Sequence, residues 1–289
     1  MKVLIQSLGL GMCFLCASGA ASESDFGLAD SLPAEASTHP TNEPAPRWRA
    51  TAKALAQKSV DFNHPPRDYT TNRVHGWTVL VEKELTTEAP ELARRALDRL
   101  DRKLGEAMAI LPESAHARLR KLRLFLMYGE ASTLGGRNNG LEYFQRSAPR
   151  FHAHLDPRMA SSIVIYSATN YVWLSEFWAL KALVHELAHA HQLEQVPEYH
   201  PDSYDAWMNA KTNGLYRDVT DDKGKTLKQG YAIQNHLEYF AELSCMYFVG
   251  CNYAPTNRTV LKEYDPVGFK LVEKWWQEGP PGPRRRAAP

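Results

Sequence analysis

The stretch Ala182-Leu183-Val184-His185-Glu186-Leu187-Ala188-His189-Ala190-His191-Gln192 sets three histidines and a glutamate in an otherwise apolar run. Helical pitch decides which of them belong together. Residues four apart lie one turn above each other on the same face, so His185 and His189 form a pair. His191 follows His189 by two positions, about 200° around the axis, and cannot join them. Glu186 projects beside the pair. A helical His-Glu-x-x-His thus offers two imidazole ligands and a carboxylate next to the open coordination position. Zinc suits imidazole, and a catalytic zinc takes three protein ligands plus water.

The flanking sequence supports the helix. Glu176 to Gln195 contains neither Gly nor Pro, and Phe177, Leu180, Val184 and Leu187 recur at helical spacing. Ser175 is placed to cap its start, and Pro197 lies just beyond its end. The competing reading is a polar stripe on a solvent-facing helix. The apolar surroundings and an available third ligand count against it.

The search for a third ligand moves downstream. A histidine ten residues after His185 would fall at Gln195, and the glycine that usually accompanies it would fall at Gln192, so the metzincin arrangement is excluded. Tyr231-Ala232-Ile233-Gln234-Asn235-His236-Leu237-Glu238-Tyr239-Phe240-Ala241-Glu242 supplies two further carboxylates four apart. Leu237, Phe240, Ala241 and Leu243 surround them, and a buried carboxylate needs a partner, for which a metal is well suited. The alternative for Glu238 is local. With Asn235 as N-cap it holds the third helical position, where a glutamate often reaches back to the cap.

These two helices, His185-Glu186-Leu187-Ala188-His189 and Glu238-Tyr239-Phe240-Ala241-Glu242, resemble the catalytic domain of the anthrax lethal-factor-like zinc metallopeptidases, a gluzincin-type group. The resemblance covers roughly residues 151 to 248. It implies Glu238 as third zinc ligand, Glu242 as the buttress of a ligand histidine, Tyr231 facing the zinc site, and Asn235 as a further match three residues before the ligand. It also implies a zincin-like fold in which an extended peptide lies along an edge strand, and Ile163-Val164-Ile165 is the strand expected in that place. Nothing in the chain matches the receptor-binding or substrate-docking regions of lethal factor, so its toxin role and its substrates do not transfer.

The implied chemistry is hydrolysis of a peptide bond by metal-activated water, with Glu186 as general base and Tyr231 as donor to the oxyanion. The alternative for Tyr231 is an ordinary half-buried tyrosine after Gly230. Glu242 fits a partner that fixes the tautomer of a zinc-bound histidine. His191, His200 and His236 are assigned no ligand role, while His152 and His154 precede the expected edge strand and are candidates to line the cleft. Trp173, Phe177, Trp178, Tyr239, Phe240, Tyr247 and Phe248 read as core packing. A rival function from another class is a zinc-binding zincin-fold module that binds a protein or cell-wall partner without turnover. The presence of both Glu186 and Tyr231 argues against it, and a His-His-Glu set argues against a closed structural site.

Outward from these helices, Trp77-Thr78-Val79-Leu80-Val81, Leu122 to Met127 and Ser161 to Tyr166 read as strands, and Leu92 to Ile110 as a helix entered near Pro90. Ser203 to Asn213, His236 to Val249 (stopped at Gly250) and Pro266 to Trp276 read as helices, and Gly135, Gly136 and Gly140 mark a loop. Strands come early and helices dominate afterwards. The expected class is α+β, with a small mixed or antiparallel sheet and a helix-rich C-terminal half.

The chain of 289 residues is 44% hydrophobic, enough for a real core, and its net charge of +1 gives no electrostatic case for nucleic acid. Residues 1–21 read as a secretory signal peptide, with Lys2 before an apolar run and small residues around Ala20. That run is too short for a membrane anchor, and no integral membrane segment is expected in the mature chain, which is placed in a periplasmic or extracellular compartment. Residues 22–48 read as a disordered linker, 49–278 as one metallopeptidase domain, and 279–289 as a disordered tail. Cys13 and Cys16 leave with the signal. Cys245 and Cys251 remain as a possible disulfide, with two free thiols as the alternative. Asn257-Arg258-Thr259 matches a glycosylation acceptor.

Overall fold

Burial on both faces of short apolar runs builds a sheet before any helix is considered. The computed structural model describes residues 60–278; the expected signal, linker and tail lie outside the described residues. The first half contains β1 (Tyr69–Val74), β2 (Trp77–Glu82), α1 (Lys83–Glu88), α2 (Pro90–Ile110), α3 (Glu113–Leu119), β3 (Arg123–Leu126), β4 (Leu141–Phe144), α4 (Ala148–Phe151), β5 (Ser162–Ile165) and α5 (Ala168–Trp173). The second half contains α6 (Glu176–Leu193), α7 (Pro201–Thr212), β6 (Arg217–Thr220), β7 (Thr226–Gln229), α8 (His236–Phe248), α9 (Arg258–Tyr264) and α10 (Pro266–Glu278). The class is α+β with a mixed sheet, and helices dominate after β5.

Five strands pair in the order β1-β2-β3-β5-β4. β2, β3 and β5 run parallel, and β1 and β4 are antiparallel to their neighbours at the two edges. Along β3 and β5 the side chains alternate between two cores, as the period of a strand requires. Leu124, Leu126, Ile163 and Ile165 face the main core, which also contains α2, α5 and α6, while Phe125, Met127, Val164 and Tyr166 join Phe62, Phe144 and Met159 on the other face.

The expected edge strand is corrected here. Ile163-Val164-Ile165 lies in β5, hydrogen-bonded on both sides by β3 and β4, and all its residues are buried. A run that is apolar on both faces belongs to the sheet interior. The edge is β4, which follows the Gly-rich loop. There Gly136 packs so closely on Gly129 that a Cβ would sit 2.1 Å from the Gly129 carbonyl oxygen.

In the second half, α8 packs against α6, α7 and α10. Ser175 caps α6 by accepting from Trp178 N–H, and Asn235 caps α8 by accepting from the N–H groups of Leu237 and Glu238. Gly250, at φ +119°, ends α8. Asn257, the glycosylation candidate, caps α9 with its side chain. Tyr239 and Phe240 are fully buried, but Trp173 is 68% exposed and does not belong to the core expected for it. Among the described residues no helix is long and apolar enough to cross a membrane.

Candidate metal centre

The facing surfaces of α6 and α8 are apolar except where the carboxylates of α8 meet the imidazoles and one ammonium of α6. His185 Nε2 lies 3.0 Å from Glu238 Oε2 and 3.1 Å from His189 Nε2, and His189 Nε2 lies 3.4 Å from the same carboxylate oxygen. A tetrahedral zinc with bonds of 2.0–2.1 Å holds its ligand atoms roughly 3.3 Å apart. Three donors buried at that mutual spacing form a group that can hold a metal ion. Glu238, which the sequence left free to fold back on its cap, turns to the histidines instead.

Glu242, one turn further along α8, meets the other side of His185, with Oε1 3.0 Å from Nδ1. Its carboxylate also takes hydrogen bonds from Lys181 Nζ (3.1 Å) and Tyr253 OH (2.7 Å). Burial works to raise its pKa, but the Lys181 charge and the hydrogen bonds from His185 and Tyr253 outweigh it and bring the carboxyl down to about 2. Burial likewise opposes a charge on His185, yet hydrogen bonds with Cys245, Glu238 and Glu242 raise its pKa well above the ordinary value. Glu238 is held well below the carboxylate range by the two histidines, again against burial. The pocket is therefore electrostatically prepared for positive charge.

His185, Glu242 and Cys245 form a second group with metal-ligand spacing. The Lys181 ammonium lies 3.1 Å from Glu242, so that position already has its cation. The Nε2 side of His185 is the better metal position.

Glu186 leaves α6 beside the pair and accepts a hydrogen bond from Tyr143 N–H on β4 (2.8 Å). Burial raises its pKa against the pull of the two histidines, with a lesser push from Glu238. Tyr231 lies in a 3-10 turn, Tyr231–Ile233, with its ring 6.0 Å from that of His185. Burial and the nearby Glu238, Glu242 and Glu186 raise its pKa, so its hydroxyl keeps the proton that it would donate.

The remaining histidines stay out of the centre. His191 is buried on the opposite side of α6, where Nδ1 meets Arg118 at 3.0 Å, Nε2 meets the Trp275 carbonyl at 2.9 Å, and the ring stacks on Trp276. His200 caps α7, and His236 bonds the Glu198 carbonyl. His152 and His154 pack against each other, and the His154 carbonyl accepts from Phe62 N–H of the second core. Neither belongs to a metal-ligand group.

The disulfide expected between Cys245 and Cys251 is not formed; both are buried free thiols. Each sulfur has found an oxygen instead: Cys245 Sγ lies 3.5 Å from the Lys181 carbonyl, and Cys251 Sγ 3.6 Å from Glu242 Oε2. Burial pushes the Cys251 thiol up to about 12, so it stays protonated and inert.

Sequence reasoning missed Lys181, Tyr253 and the anchoring of Glu186 by β4. Lys181 was detectable: it is the one lysine in a largely apolar helix, four residues before His185. Tyr253 and Tyr143 carry no such signal, because each arrives from a distant segment. No family model matches the chain, and no curated protein or solved structure matches it either.

Proposed function

We propose that this chain is a zinc-dependent peptidase with a zincin-like fold, exported by the leader read in residues 1–21, and that it hydrolyses peptide bonds in an extended substrate. The observation that carries the reading is the convergence of two imidazole nitrogens and a carboxylate at one buried point, with a further carboxylate beside them tied to the edge strand β4. The likeness of the two helices to the lethal-factor-like peptidases supports the same reading.

A zinc ion held by His185, His189 and Glu238 would supply a water of lowered pKa and a Lewis acid for the scissile carbonyl. Glu186, with one oxygen fixed by Tyr143, accepts the proton of the attacking water through the other and returns it to the leaving amine. Tyr231 donates a hydrogen bond to the oxyanion. A substrate strand pairs with the outward backbone groups of β4. Tyr143 N–H points away from β5, so strand alternation turns the backbone groups of Leu141 the same way.

The test is cleavage of a complex peptide library by the zinc-loaded protein beside Glu186→Gln. Cleavage by wild type and a loss of about 100-fold or more in the variant, with zinc still bound, is the expected result. Silence from both, with zinc bound, would instead favour a module that binds without turnover.

A further inference from the structure

The groups behind His185 form a cage with more members than the metal reading requires. Lys181 is one turn before His185 on α6, its side chain is buried, and Nζ lies 3.1 Å from each Glu242 oxygen and 3.1 Å from Asn252 Oδ1. Tyr253 reaches the same carboxylate from beyond α8. Its hydroxyl donates to Glu242 Oε2 at 2.7 Å and accepts from Ala232 N–H at 2.9 Å. Ala232 follows Tyr231 in the 3-10 turn, so one oxygen atom joins the carboxylate behind the metal ligand to the turn carrying the oxyanion donor. Room for this contact is made by Gly230, where a Cβ would sit 2.7 Å from the Tyr253 ring. A glycine with φ of −71° has no conformational need to be glycine, so close approach is its physical reason here.

We propose that Lys181 and Tyr253 are positioning residues for this centre: Lys181 clamps Glu242 so that His185 keeps its ring orientation, and Tyr253 couples that clamp to the placement of Tyr231. The inference rests on the zinc reading. Lys181 acts through Glu242, and its contribution disappears when Glu242 cannot hold a charge. Tyr253 acts on two neighbours at once and divides its effect between metal and turnover.

The experiment measures zinc affinity of the full chain by chelator competition, together with kcat and KM on a peptide taken from the library. Wild type is measured first; if it binds no zinc, the zinc reading falls and this inference with it. Lys181→Met is expected to weaken zinc binding by about 10–100-fold in the wild-type background. In the Glu242→Gln background it should change zinc affinity by less than about two-fold. Tyr253→Phe deletes a single oxygen atom and keeps the ring, so it serves even if Lys181→Met does not fold. It is expected to weaken zinc binding and also to lower kcat with KM unchanged. Zinc affinity at the wild-type value in both variants, or an undiminished Lys181→Met effect without the Glu242 charge, would overturn the proposal while leaving the zinc reading intact.

Discussion

Two buried glutamates near α6 have nearly the same kit of partners and opposite behaviour. Glu242 on α8 has a lysine and a tyrosine hydroxyl, Lys181 and Tyr253. Glu142 on β4 has an arginine and a tyrosine hydroxyl, Arg137 at 3.0 Å and Tyr166 at 2.5 Å. Yet Glu242 is brought down to about 2, while burial pushes Glu142 up to about 7 in spite of Arg137 and Tyr166, with the Glu186 charge adding to the rise. The placement of the donors differs. Lys181 straddles both oxygens of Glu242, His185 adds a second donor and Tyr253 a third, whereas Arg137 and Tyr166 both come to Oε2 of Glu142. A cation within reach does not by itself keep a buried carboxylate ionised; the oxygens must be served from several sides.

The sharpest way to break this contrast is a pH series. A carboxyl whose pKa rises from 4.5 unfolded to about 7 folded binds more protons in the native state between those values. Its contribution is therefore fully present below pH 4.5 and lost as pH rises towards 7, a fall on the order of 3 kcal/mol over that window. Urea unfolding should reveal this decline in wild type, and Glu142→Gln should flatten it. An unchanged slope would mean that Glu142 is ionised like Glu242.

Next in size is the effect on metal binding. Glu242→Gln is expected to weaken zinc affinity by about 10–100-fold, while Glu142→Gln leaves it unaltered, as chelator competition would report. Equal losses would mean that both carboxylates serve the metal. The smallest effect concerns the hydroxyls. Tyr166→Phe should cost about 1 kcal/mol of stability and nothing in zinc affinity, in contrast to Tyr253→Phe. Thermal melts with and without zinc would separate the two.

The parts of the site that lie on one helix were legible in the sequence, because pitch alone pairs His185 with His189, sets His191 apart and pairs Glu238 with Glu242. The strands β2, β3 and β5 were legible as apolar runs. β4 was not: Leu141-Glu142-Tyr143-Phe144 is short, carries a charge and follows glycines, so it reads as a continuation of the loop. Its strand identity comes from pairing with β5, a contact made by residues about twenty positions away. The same limit hid Tyr253, whose role depends on where a loop after α8 returns. The free cysteines show how local spacing misleads, since two thiols close in sequence found oxygen acceptors in different directions.

The hydrogen bond from Tyr143 to Glu186 has a consequence for any chain laid along β4. An added strand normally finds a donor for every second carbonyl it turns towards the sheet. Opposite Tyr143 that donor is already engaged by the Glu186 carboxylate, so the incoming ladder has one missing rung. The carbonyl arriving there meets no amide and is left free to rotate out of the strand. Under the proposed peptidase function that carbonyl would be the one attacked, and the defect in the ladder would mark the bond to be cut independently of the side chains on either side of it.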